Sequence, residues 1–157
     1  MTTARAAYSK KKRHDSRTYR SGLELSNADM LKSLGIEPHY EEYYLNYTVP
    51  ESKHKYTPDF ILPNGIIIET KGIWDSDDRK KHLLIREQYP NLDIRFVFSR
   101  AKTKLYKGSK TTYGDFCNKN NIKYSEKMIP KEWLEEPCSN NLDKVFIRKG
   151  CLKNVCK

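Results

Sequence analysis

An α/β domain with a mixed central β-sheet flanked by helices is what this chain predicts, and three observations carry that reading. Two runs rich in β-branched and aromatic residues, 56–62 and 66–71, flank the turn formers Pro63-Asn64-Gly65 and read as a hairpin. A helical segment over 77–88 then precedes another apolar run, 94–98; strand, helix and strand in that order imply a right-handed crossover onto a parallel neighbour. At 157 residues the chain can form one domain whose core holds a sheet and a few helices.

Residues 1–18 are polar and basic and are expected to form a tail that stays disordered until DNA is present. A helix is expected from Gly22 to about Leu34, burying Leu23, Met30, Leu31 and Leu34 and stopping at Gly35. Residues 40–49 read as a strand or extended arm halted by Pro50. After the hairpin, Ser76 caps the helix over 77–88, with Asp77 and Asp78 in its first turn and Leu83 and Leu84 as apolar anchors. A helix near 112–120 and a short one opened by Pro130 complete a domain over 19–137, followed by a basic tail over 138–157.

The hairpin carries the chemistry. A three-residue loop at 63–65 sets Leu62 against Ile66, and counting back places Asp59 opposite Glu69, with Cβ atoms about 5 Å apart. Strand alternation puts Lys71 on the face of Glu69. Facing carboxylates repel unless a cation lies between them. Mg²⁺ is the economical candidate, because one or two carboxylates and a phosphate oxygen hold it in a phosphodiester-cleaving site. Lys71 would orient or deprotonate the attacking water, or stabilise the pentavalent charge; the sequence leaves the choice open. The competing reading is an ordinary surface pair of Asp59 with Lys71 beside a solvated Glu69. Against it, Ile66-Ile67-Ile68 reads as a strand buried on both faces, yet it ends in a Glu and a Lys.

Pro58-Asp59 and Glu69-Thr70-Lys71 fit the PD-(D/E)xK nuclease signature. The strings Tyr56-Thr57-Pro58-Asp59-Phe60, Leu62-Pro63-Asn64-Gly65, Glu69-Thr70-Lys71-Gly72, the run 76–88 and the run 103–109 are far more specific. Over about residues 19–137 the chain resembles the bacteriophage endonuclease I family of Holliday-junction resolvases. That resemblance implies a restriction-endonuclease-like nuclease core and a domain-swapped homodimer. It also implies a catalytic set of Glu24, Asp59, Glu69 and Lys71. One metal site would take Asp59, Glu69 and the Thr70 carbonyl, and a second Glu24 with Asp59, for two Mg²⁺ ions that Mn²⁺ can replace. Branched DNA would be the substrate. The segment 47–55, whose Pro50, Glu51, Ser52 and Lys53 offer no hydrophobic reason to fold back on their own chain, would cross between subunits so that each active site is shared. Ser21-Gly22-Leu23-Glu24 is equally a capping box, which on residues alone is the stronger reading of Glu24.

Thirty Lys and Arg against twenty Asp and Glu give a formal charge of +10, and the charge is segregated. Residues 1–20, 99–113 and 141–157 contribute +6, +5 and +4, leaving the rest at −5. A basic rim around an acidic centre suits an enzyme that grips phosphates and concentrates metal where it cuts. Lys10, Lys11, Lys12, Arg13, Arg17, Arg20, Lys102, Lys104, Lys107 and Lys110 are the expected DNA contacts. The four cysteines, Cys117, Cys138, Cys151 and Cys156, form no CxxC pair and have no nearby His, so free thiols in a reduced cytoplasmic setting are expected, with no membrane span. His39, His54 and His82 show no ligand spacing. Tyr40, Tyr43, Tyr44 and Tyr47 read as packing on alternate faces of an arm before they read as base-stacking platforms. The chain is therefore read as a metal-dependent, structure-selective endodeoxyribonuclease. The rivals are a non-catalytic branched-DNA-binding protein and a nuclease that mainly degrades duplex DNA.

Overall fold

The computed structural model describes residues 19–49, 51–138 and 146–148. Lys10, Lys11, Lys12, Arg13 and Arg17, Pro50, and Cys151 and Cys156 lie outside the described residues. In chain order the elements are α1 (Gly22–Ser33), β1 (Tyr43–Val49), β2 (Ser52–Tyr56), β3 (Phe60–Ile61), β4 (Ile67–Lys71), α2 (Ser76–Gln88), β5 (Ile94–Phe98), α3 (Tyr113–Lys119), β6 (Tyr124–Glu126), α4 (Lys131–Glu135) and β7 (Ile147–Arg148).

The expected mixed sheet is present as a four-stranded sheet of order β3-β4-β5-β6, antiparallel between β3 and β4 and parallel beyond. A second sheet, β2-β1-β7, is antiparallel throughout. The run expected as one strand over 56–62 is divided between the two. Tyr56 ends β2, Phe60 and Ile61 form β3, and residues 57–59 join them irregularly. Pro58 is the reason: it has no N–H for a ladder and it restricts the residue before it.

Strand alternation builds two cores, one on each face of the four-stranded sheet. Ile67, Phe96 and Phe98 point into a cluster with Trp74, Ile85, Leu45 and Tyr56, whereas Ile68 and Val97 point into one with Ala28, Leu31, Phe60 and Trp133. Trp74 is fully buried, its ring 4.6 Å from that of Phe96 and 5.2 Å from that of Phe98. Truncating such a side chain to alanine costs roughly 3–5 kcal/mol, which makes it a main anchor of the segment that follows β4.

The helices keep their expected places but turn different faces inward. α1 buries Glu24, Asn27, Ala28 and Leu31, while Leu34 is exposed and Leu23 and Met30 are half-buried. α2 is capped by Asp75, whose side chain accepts from the Asp78 N–H, not by Ser76. Its inner face is Arg79, His82 and Ile85, so Leu83 and Leu84, read as its anchors, lie off it. The face toward the sheet recurs every three residues through a cationic and a titratable side chain, which hydrophobic periodicity overlooks. His82 is thereby brought against the sheet.

Within the single chain β1 and β2 pair as a hairpin, with Val49 opposite Ser52 and Leu45 opposite Tyr56. Ladder hydrogen bonds supply the pairing, with Leu45 and Tyr47 buried on one face of β1, so a hydrophobic return segment is not needed. Of the tyrosines, Tyr47 is buried and Tyr40, Tyr43 and Tyr44 are half-buried. β7 lies within the stretch read as a tail and pairs with the start of β1. Among the described residues no helix is long and apolar enough to cross a membrane. Cys117 is buried and Cys138 exposed, both as free thiols.

Candidate active site

Asp59, Glu69 and Lys71 gather at the carboxyl end of β4. Glu69 and Thr70 are buried there and Lys71 half-buried, beside parallel β5 with Glu69 opposite Phe96. The predicted hairpin register holds: Phe60 pairs with Ile68 and Ile61 with Ile67, and the Leu62 N–H donates to the Ile66 carbonyl at 2.8 Å. Asp59 lies one position beyond, in the bend that Pro58 imposes. Its Oδ2 accepts from both the Thr70 N–H and the Thr70 hydroxyl at 2.8 Å each, which locks the carboxylate against β4.

The charges of this cluster are unevenly balanced. Burial, and then the Glu69 charge, push the Asp59 carboxyl from 3.8 up to about 7, although the two Thr70 bonds and Lys71 oppose them. Burial would lower the Lys71 ammonium, but Glu69 at 3.3 Å and Asp78 at 2.8 Å hold it well above the ordinary lysine range. Burial likewise works against an ionised Asp78, yet Lys71 and Lys81 bring it down to about 2. The Asp59 carboxylate thus carries an unrelieved penalty on its charge, which a cation beside it would remove. The donor set on offer is oxygen only, Asp59, Glu69 and the Thr70 carbonyl, which fits Mg²⁺ or Mn²⁺ and its retained waters. Among the described residues no three His, Cys, Asp or Glu side chains gather closely enough to make a ready cage.

Glu24 stands apart from this cluster. The capping box is formed: the Glu24 N–H donates to Ser21 Oγ at 3.2 Å, and Glu24 Oε2 accepts from the Ser21 N–H at 3.1 Å and the Arg20 N–H at 2.7 Å. The Tyr40 hydroxyl donates to the same oxygen at 2.6 Å. The three bonds that the Glu24 carboxylate accepts all fall on Oε2. Tyr40 also bridges to Phe60 and packs its ring 5.5 Å from it, so Glu24 reaches the hairpin through Tyr40.

Three residues with no assigned part in the sequence reading complete the surroundings of Glu69. The Tyr56 hydroxyl donates to Glu69 Oε1 at 2.6 Å, Asp78 pairs with Lys71, and the His82 ring faces Glu69 Oε2 at 3.7 Å. Asp78 and His82 are one helical turn apart on α2, a spacing that aims both at β4 and could have flagged them.

Of the expected DNA contacts, Lys102, Lys104, Lys107 and Lys110 are all exposed. Their loop is ordered from within, by the Lys104–Thr112 bridge, the Ser109 hydroxyl bonded at Thr111, and Gly108 at φ 89°. Tyr106 projects from it, 67% exposed. Arg20 is exposed too, but its guanidinium is bonded to Glu41 at 2.6 Å.

The chain is similar to known proteins. A family model described as Phage endonuclease I matches residues 4–153. The chain is 62% identical over 119 residues to an Endonuclease I of Escherichia phage T7, covering 76% of this chain and 80% of that protein. It is 56% identical over 139 residues to an Endodeoxyribonuclease 1 of Enterobacteria phage T3, covering 88% of this chain and 91% of that one.

Proposed function

The chain belongs to the phage endonuclease I family, and on that premise we propose that it is a divalent-metal-dependent endonuclease that resolves four-way and other branched DNA as a homodimer. The observation that supports the metal dependence is the placing of Asp59: half-buried, pinned through Oδ2 by the Thr70 N–H and hydroxyl, with burial and the Glu69 charge pushing its carboxyl up.

Asp59, Glu69 and the Thr70 carbonyl would hold one ion, and Glu24 with Asp59 a second. An Mg²⁺ ion held by these residues would supply Lewis acidity toward the scissile phosphate. Lys71 is firmly cationic between Glu69 and Asp78, which favours stabilising the pentavalent phosphate over taking a proton from water. The Thr70 side chain and N–H hold Asp59 in place, so the acid does not reorganise when phosphate arrives. The four exposed lysines of 102–110 grip backbone phosphates, a sequence-independent contact that suits recognition of branch shape.

The assembly rests on the family and on the β1–β2 hairpin. β2 is exposed from Ser52 to Lys55, so the ladder it makes with its own β1 can be made with a second copy at little cost. Exchange there would let Glu24 of one chain serve the hairpin of the other.

Labelled four-way junction and linear duplex of matched sequence, incubated with and without Mg²⁺, test the reading directly. Junction cleavage only with Mg²⁺ is expected, and Asp59→Asn or Glu69→Gln should reduce it by orders of magnitude while binding persists. Near-normal cleavage by either variant overturns the assignment.

A further inference from the structure

His82 is fully buried, and neither ring nitrogen has a hydrogen-bond partner. Buried polar groups in folded proteins are nearly always paired, so an unpaired imidazole is costly unless something is gained at that place. Packing does not supply the gain. The ring lies edge-on to Tyr56 at 5.5 Å and to Phe96 at 4.8 Å, contacts an aliphatic side chain could replace without stranding two nitrogens. What the imidazole adds is Nε2, aimed between two carboxylates: Glu69 Oε2 at 3.7 Å and Asp78 Oδ1 at 3.9 Å. A shift of about 0.7 Å would bring the first to hydrogen-bond length.

The other oxygen of Glu69 is already held. Tyr56, the last residue of β2, donates its hydroxyl to Oε1 at 2.6 Å, and it too is fully buried. Glu69 is therefore approached from two elements that are not its own strand, β2 through Tyr56 and α2 through His82. Lys71 joins His82 on the Oε2 side.

We propose that Tyr56 and His82 are positioning residues that clamp the two oxygens of Glu69 and fix the orientation in which it takes a divalent cation. This rests on the metal-dependent reading above and adds to it the side chains that set the affinity of the site. Groups that orient a ligating side chain commonly change metal affinity or activity ten- to a hundredfold when removed. Because Tyr56 sits opposite Leu45 in the β1–β2 ladder, the clamp also ties metal affinity to the correct seating of that hairpin.

The test measures Mn²⁺ binding to the DNA-free protein by calorimetry, and separately the Mn²⁺ concentration giving half-maximal junction cleavage. Tyr56→Phe and His82→Leu keep the shape and remove one donor each. Both should weaken Mn²⁺ binding and shift the half-maximal concentration upward by ten- to a hundredfold, with cleavage recovering at saturating metal and junction binding in EDTA unchanged. His82→Gln, which places an amide N–H near the position of Nε2, should restore most of the affinity. Wild-type Mn²⁺ binding by both Tyr56→Phe and His82→Leu overturns the proposal, as does a His82→Leu defect that His82→Gln leaves uncorrected. If His82→Leu does not fold, Tyr56→Phe decides alone. Glu69→Gln separates the two levels. Should it bind Mn²⁺ like wild type, the metal assignment itself fails; should it lose binding while Tyr56→Phe and His82→Leu do not, only the clamp fails.

Discussion

Replacing Asp59 by Asn should stabilise the metal-free protein while removing its activity. The folded state holds the Asp59 carboxyl at about 7 against an ordinary value of 3.8, through burial first and the Glu69 charge second. Below about pH 4 the acid is protonated in folded and unfolded chains alike and costs nothing. Between about 4 and 7 the folded state keeps a proton that the unfolded state has released, so stability falls as pH rises, and above about 7 the full cost is present. A shift of roughly three pKa units at about 1.4 kcal/mol each makes that cost on the order of 4 kcal/mol. The Asn amide is neutral at every pH, and its oxygen can keep both bonds that Thr70 donates. In EDTA at pH 8.5, Asp59→Asn should therefore melt higher than wild type by on the order of 10 °C, at about 2–4 °C per kcal/mol for a domain of this size. The gap should shrink steadily toward pH 4.5. Millimolar Mg²⁺ should raise wild type and leave Asp59→Asn where it is, because binding to the folded state alone stabilises by mass action. Differential scanning fluorimetry across pH, with and without Mg²⁺, reads all three effects. A variant no more stable than wild type at pH 8.5 in EDTA, or a gap independent of pH, would refute the account of Asp59.

Deleting residues 2–16 removes five cationic side chains and one acid, so junction affinity should weaken and the slope of log K against log salt flatten, by roughly 0.9 for each phosphate no longer neutralised; an unchanged slope in a salt titration makes the tail a bystander. Asn27→Ala breaks the bonds that tie α1 to the Lys127 carbonyl and the Ile129 N–H, and by leaving those groups unpaired should cost about 2–4 kcal/mol in urea denaturation. Lys71→Ala should abolish most turnover with junction binding retained, as gel-shift and single-turnover assays would separate. Co-refolding an inactive Glu24→Gln chain with an inactive Asp59→Asn chain should give heterodimers with one intact composite site that nick a junction once. Heterodimers that form but never nick would show that each site is built from one chain.

Short-range rules were enough for the hairpin, its register and the identity of its charged residues. Asp59, Glu69 and Lys71 lie beside a turn whose length fixes the pairing, so two-residue alternation brings them together. Both ends of β5 and both halves of the capping box at Ser21 and Glu24 were legible for the same reason, since they depend on near neighbours alone. The surroundings of the site were settled by long-range packing instead. Tyr56 and Asp59 are three residues apart, yet Pro58 sends one into the second sheet and the other to the edge of the first, and both return to β4. Leu83 and Leu84 looked like the anchors of α2, but docking against a sheet that already carried Glu69 and Lys71 selected the face with Arg79, His82 and Ile85. A periodicity argument ranks side chains by transfer from water to oil. It therefore misses a histidine buried for what it faces, and that choice exists only once two distant segments have met.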